Sequence, residues 1–240
     1  MGSPELLSDF GAGVAEPLAP PRSRGVRALV WDLPLRVFHW SLVAAVATAI
    51  VTAELGGAWM EWHGRAGLAV VGLLVFRAAW GLVGSATARF ASFAPSPARL
   101  RGYLRGQWRG EGHNPLGALS VFAMLGLLAL QAATGLFGTD DIAFAGPLNR
   151  LVDDALGERL TGWHRLLADG LFGLLALHLA AIAYHELVKR HALVRPMLTG
   201  WREGAVEGSR GHAAGSRRGL AVAIVLAAAV VVAIAWVGRR

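Results

Sequence analysis

"WHRLLADGLFGLLALH", residues 163–178, carries one histidine near each end of an otherwise apolar stretch. In a helix, at about 100° and 1.5 Å per residue, the step from His164 to His178 returns to within roughly 40° of the starting face, some 21 Å further along. Both imidazoles then look the same way at two depths. What they do depends on the solvent around the segment. Of the 240 residues 55% are hydrophobic and only 16% charged, against about 25% charged in an ordinary soluble domain. The deficit falls in long apolar runs, which points to a bilayer. Crossing it takes roughly 20 mostly apolar residues, and a helix is favoured because lipid offers no partner for an unpaired backbone group.

Five such runs follow one another. The first opens at "WDLPLRVFHWSLVAAVATAIVTAEL", with Asp32 as candidate N-cap and Pro34 in the first turn, where a missing N–H costs little. The second covers Trp62 to Val83. The third starts at "HNPLGAL", with Asn114 as cap and Pro115 at the first helical position. The fourth runs from Thr161 to Leu187 and contains the opening stretch. The fifth, residues 220–237, holds no polar residue and reads as a lipid-facing span or anchor. Residues 1–28 read as a disordered cytoplasmic tail, with no apolar run long enough for a signal peptide. The expected division is completed by a four-helix transmembrane domain at 29–201, a basic cytoplasmic linker at 202–218 and a fifth helix at 219–240.

Loop charge alternates. Arg22, Arg24, Arg27 and Arg36 precede or open the first span. Arg89, Arg99, Arg101, Arg105 and Arg109 lie between the second and third, and Lys189, Arg190, Arg195, Arg202, Arg210, Arg217 and Arg218 follow the fourth. Glu54, Glu61, Asp140, Asp141, Asp153, Asp154 and Glu158 mark the other side, among fewer arginines. The positive-inside rule predicts a multi-pass membrane protein, N-terminus cytoplasmic and C-terminus on the outer side. The net charge of +7 belongs to this asymmetry, which argues against nucleic acid as a partner. The absence of cysteine excludes disulfides, thiolate zinc sites, cysteine-ligated iron–sulfur clusters and haem attached through C-x-x-C-H.

Two more histidines match the depths of the first two. His39 lies near the start of the first span, on the side of His178; His63 opens the second, on the side of His164. Opposed imidazoles at two depths suit two six-coordinate haems stacked across a helical bundle. They equally suit interfacial polar residues, because Trp40, Trp62 and Trp163 adjoin three of the four in the manner of an aromatic belt. His178 is harder to read as interfacial, since ionisable groups inside a span are rare and often functional. Gly67, Gly72, Gly135, Gly170 and Gly173 would let helices or a porphyrin approach closely.

"WDLPLRVFHW", "EWHGRAGLAVVGLLVFRAAWGLVG", "GHNPLGAL" and "WHRLLADGLFGLLALHLAAIAYHE", in this order, together resemble the bacterial cytochrome b561 family, which is grouped with the b-type cytochrome subunits of nickel–iron hydrogenases. The resemblance spans about residues 29–201. It implies an all-α integral membrane fold: a four-helix bundle binding two non-covalent b haems, with one extra C-terminal helix here. It further implies that His39, His63, His164 and His178 are the iron ligands, and that electrons pass to or from quinone in a respiratory chain. The expected redox partner is a periplasmic cytochrome c or a hydrogenase or dehydrogenase subunit. Two alternatives keep the haems: a membrane anchor of such a complex, and a stand-alone quinone-linked oxidase of a small reductant. A third is a haem-free metal or proton transporter.

Arg77 repeats, after His63, the spacing of His178 after His164, and its fork of donors suits a haem propionate. Arg36, one turn before His39, is placed for the same role or for a basic anchor at the interface. Arg65 and Arg165 follow the other two histidines. Asp169 is expected to pair with Arg165 four residues earlier. His113, His185 and His191 are expected as solvated interface histidines or as proton carriers to a quinone, and His212 as a loop residue.

Overall fold

The computed structural model describes residues 26–107, 113–140, 144–205 and 215–240. Residues 1–25, Arg109, Asp141, Arg210 and His212 lie outside them. The described chain is mostly helical, and five helices are long and apolar enough to cross a membrane. These are α1 (Leu33–Leu55), α2 (Met60–Val83), α5 (Pro115–Gly135), α6 (Asp154–Ala183) and α8 (Arg217–Arg239). Short α3 (Phe90–Phe93) and α4 (Pro97–Leu104) join α2 to α5. A π-turn (Tyr184–Val188) and α7 (Val194–Thr199) follow α6.

The helix starts follow the expected chemistry. Asp32 accepts from the Leu35 N–H at 2.7 Å and Asn114 from that of Gly117 at 2.7 Å, each with proline in the first turn. Asp153 and Ser216 cap α6 and α8 in the same way. Glu186, in the π-turn, takes the backbone N–H groups of Leu193 and Val194 and so fixes where α7 begins.

α1 packs along α2, α2 along α8 and α5 along α6, while α2 also touches α5; α1 and α6 do not pack along each other. α2 is therefore the hub. It buries 28% of its apolar window against protein, whereas α6 buries 6%. The fifth span is more than a lipid-facing anchor. A Cβ on Gly72 of α2 would come within 2.9 Å of Val231 of α8, and Gly219 lies against Val83. Ala223 is fully buried. At the far end Arg150 donates to the Val237 carbonyl. Small residues let the two helices approach closely, as in membrane helix pairs generally.

The two ends of the bundle differ. The basic end holds the start of α1, the end of α2, the start of α5, the end of α6 and the start of α8. There β1 (Val26–Leu29) pairs antiparallel with β2 (Trp201–Ala205). This ribbon takes up residues 26–28 of the expected disordered tail and 202–205 of the expected linker. Both segments are ordered here because each satisfies the other's backbone groups, and Val30 and Trp31 extend the pairing by donating to the Gly200 carbonyl. Gly200 stands at a left-handed φ of 89°, the turn that ends α7 and starts β2. Beneath this cap Trp80, 1% exposed, donates through Nε1 to Asp32, with Trp31, Leu35, Phe38, Ala88 and Phe93 buried around them. Among the described residues the acidic end has no comparable sealed core.

Candidate functional site

His63 and His164 come together at the acidic end from α2 and α6. Their ring centres are 6.0 Å apart, with planes at 88°. Each ring is held from behind by a neighbouring helix: His63 Nδ1 lies 2.8 Å from the Ala49 carbonyl of α1, and His164 Nδ1 lies 2.9 Å from the Gln131 carbonyl of α5. A carbonyl only accepts, so both Nδ1 atoms carry the proton and both Nε2 atoms present a lone pair. This is how a second shell selects a metal-binding tautomer. Gly135 makes the room: a Cβ there would stand 2.8 Å from His164 Cε1.

His39 of α1 and His178 of α6 form a second pair towards the basic end, close enough for charge on one to act on the other. His39 meets the Trp40 ring edge-on at 5.3 Å. Neither imidazole has a hydrogen-bond partner among the described residues. The two depths read from the spacing are thus two places where imidazoles approach, and between them α1 and α6 stand apart. Among the described residues no three His, Asp or Glu side chains converge; the histidines meet in twos.

An iron porphyrin sandwiched by two imidazoles is the group against which this donor set is tested. A metal–imidazole bond of about 2 Å on each side, with the ring centre about 1 Å behind the nitrogen, needs centres about 6 Å apart. The His63–His164 spacing meets that requirement, and its Nε2 atoms have the right protonation. Open space lies one turn after His63 on the same face, since a Cβ on Gly67 would meet nothing within 4 Å. The residues fit the group.

The arginines divide. Arg77 is 2% exposed, packed over Phe90 at 4.3 Å, with Nη1 unpartnered. Arg36 donates to the Leu198 carbonyl and keeps a buried, unpartnered Nε. Arg65 turns away from His63, pairing with Glu61 and stacking on Trp62 at 4.8 Å. The expected Arg165–Asp169 ion pair does not form, and both residues are exposed. The physical difference is direction: acid before base at i,i+4 complements the helix dipole, as in Glu61–Arg65, and base before acid does not.

His113 corrects a further expectation. It is no solvated interface residue: its ring is wedged between Trp31 at 4.5 Å and Phe93 at 4.6 Å. Burial, with the Arg77 and Arg202 charges behind it, pushes its pKa down to about 4. His185 and His191 stack at 6.1 Å at the surface of the basic end. The residue that the sequence reading passed over is Gln131, whose Nε2 lies 3.1 Å from His164 Nε2. Its signal was present: one amide inside "SVFAMLGLLALQAATG".

The sequence profile of prokaryotic cytochrome b561 matches residues 30–200, which takes in the four paired histidines, Arg36, Arg77 and the first four spans. No curated protein and no solved structure gives a match. The chain therefore belongs to the prokaryotic cytochrome b561 family: it is a multi-pass membrane protein whose family binds b-type haem and carries electrons.

Proposed function

We propose that this chain is a dihaem b-type cytochrome that passes electrons between the quinone pool and a redox partner of a respiratory chain. His63 and His164 would hold one haem, His39 and His178 the other. The observation that carries this is the 6.0 Å approach of His63 and His164 with both Nδ1 atoms anchored on backbone carbonyls. Bound haem supplies reversible one-electron chemistry at iron. The chain supplies everything else. Ala49 and Gln131 fix the tautomer and angle of two ligands, Gly135 gives His164 its room, and the apolar spans keep water out. With two imidazoles holding each haem, the sites would favour electron transfer over binding of a substrate.

Arg36 and Arg77 are proposed to hold haem propionates. Each keeps a buried nitrogen without a partner, and a buried donor left unsatisfied is costly, so an incoming carboxylate would be stabilised. The loop charges favour the basic end as cytoplasmic and the acidic end as periplasmic, facing a cytochrome c or a hydrogenase or dehydrogenase subunit. The haem-binding unit is proposed as 29–201, with β1 and β2 closing it, and α8 packed on it as an integral fifth span.

The test is the reduced-minus-oxidised spectrum and haem-to-protein ratio of the purified full chain in detergent. Two b haems per chain are expected, both reducible by quinol. A chain that purifies folded and carries none, or a ratio of one that His178→Ala leaves unchanged, would overturn the proposal.

A further inference from the structure

Gln131 touches His164 twice. Its backbone carbonyl accepts the Nδ1 proton at 2.9 Å, and its side-chain Nε2 lies 3.1 Å from His164 Nε2. The first contact determines the second. With the proton on Nδ1, a neutral imidazole has only a lone pair on Nε2, so the amide must present its N–H there. The other half of the same amide, Oε1, is buried with no partner. Thr134 reinforces the arrangement, donating to the Gln131 carbonyl at 3.0 Å and lying 3.3 Å from His164 Nδ1. Among the described residues His63 has no such cover: its hydrogen bond is the one to Ala49 at Nδ1, and Phe144 meets its ring edge-on at 6.4 Å.

We propose that Gln131 is a positioning residue that caps the iron-binding nitrogen of His164 in the haem-free chain and is displaced when haem binds. This inference rests on the ligand assignment proposed above. The exchange is balanced. One N–H···N hydrogen bond breaks, the same Nε2 lone pair forms the bond to iron, and the Nδ1 proton stays on the Gln131 carbonyl, with no electron transferred. The cap serves His164 before haem binds. It gives a buried lone pair a partner, and so spares the cost of an unsatisfied acceptor. It also keeps His164 in the rotamer that the metal requires. Displacement breaks a single neutral hydrogen bond, because Oε1 has no partner to lose, and this makes the cap easy to remove. Gln131 is thus a competitor for the site as well as a guide to it.

The test uses the full chain produced without haem and titrated with haemin in detergent, following the Soret band. Gln131→Met keeps the volume and the backbone carbonyl and removes the amide. Losing a competing neutral hydrogen bond should tighten the acidic-end site by about three- to tenfold, with the basic-end site unchanged. Nitrogen NMR of labelled histidine adds a readout that needs no haem. His164 should be Nδ1-protonated in both proteins, and its Nε2 signal should shift in Gln131→Met. Gln131→Leu serves if Gln131→Met does not fold. Equal affinities, equal changes at both levels, or an Nε2 signal that does not move would overturn the proposal. If the original chain binds no haem at all while the NMR shift appears, the cap stands as a contact and the ligand assignment falls instead.

Discussion

The two histidine levels draw on the same helix α6, yet they are held in different ways. At the acidic end, carbonyls from two neighbouring helices grip the backs of His63 and His164. The rings already stand at the separation that one metal needs. At the basic end, His39 and His178 have no hydrogen-bond partner among the described residues, and order comes instead from around them. There the ribbon, α3 and α7 close over Trp80, Asp32 and Arg77. One level is organised from within and the other from above. An imidazole in lipid has no water to orient it, so the fold must provide either a directional partner or a rigid wall.

The sharpest way to break this comparison is to remove one ligand from each level. His164→Ala should lower the haem-to-protein ratio from two to one by emptying the acidic end, and His178→Ala should do the same at the basic end. The pairing fails if either variant loses both haems or neither. Gly135→Val comes next. A Cβ there would stand 2.8 Å from His164 Cε1, so the branched side chain must push the ring off its carbonyl. Overpacking of this kind costs about 1–3 kcal/mol, or roughly five- to 150-fold in affinity. Haem should be lost on dilution from the acidic end while the basic end keeps its own.

How far the sequence alone leads follows from how local each feature is. An apolar run, a capping Asp32 or Asn114, and the spacing of His164 and His178 are written within one segment. So is the matching of depths, once loop charge assigns each helix a direction. The ribbon is different: "VRAL" and "WREGA" are too short and too irregular to announce strands, and their partners lie at opposite ends of the matched region. His113 misled for a related reason. A histidine two residues before a span looks interfacial unless one knows that Trp31 and Phe93 enclose it. The packing of α8 on α2 was equally out of reach, since Gly72 reads the same whether it faces lipid, porphyrin or Val231.

His113 gives a smaller, pH-dependent test of the wall at the basic end. Burial, then Arg77 and Arg202, hold its pKa at about 4, against an ordinary value near 6.5. Between those values the unfolded chain binds the proton and the folded chain does not. Stability is therefore complete above about pH 6.5 and falls as the pH drops towards 4, by at most about 3 kcal/mol. Thermal unfolding in detergent should show that slope, and His113→Phe should flatten it. If the wall organises the basic level, haem should also leave His39 and His178 first on acidification. Loss from the acidic end first would show that the cap and the basic level are independent.

The smallest effect expected is an order of filling. Holding a side chain in its bound rotamer before the ligand arrives spares about 0.5–1.5 kcal/mol for each one. Two imidazoles at the acidic end have that advantage, and those at the basic end do not. Gln131 works against it, because its amide occupies one of the two nitrogens. The two effects are of similar size and opposite sign. The haem-free chain should therefore fill both levels with similar affinity, while Gln131→Met fills the acidic end first by up to about tenfold. Titrating haemin into the His164→Ala and His178→Ala chains reads each level alone. A basic-end affinity well above that of the acidic end, persisting in Gln131→Met, would mean that a rigid wall organises a ligand better than a directed hydrogen bond does.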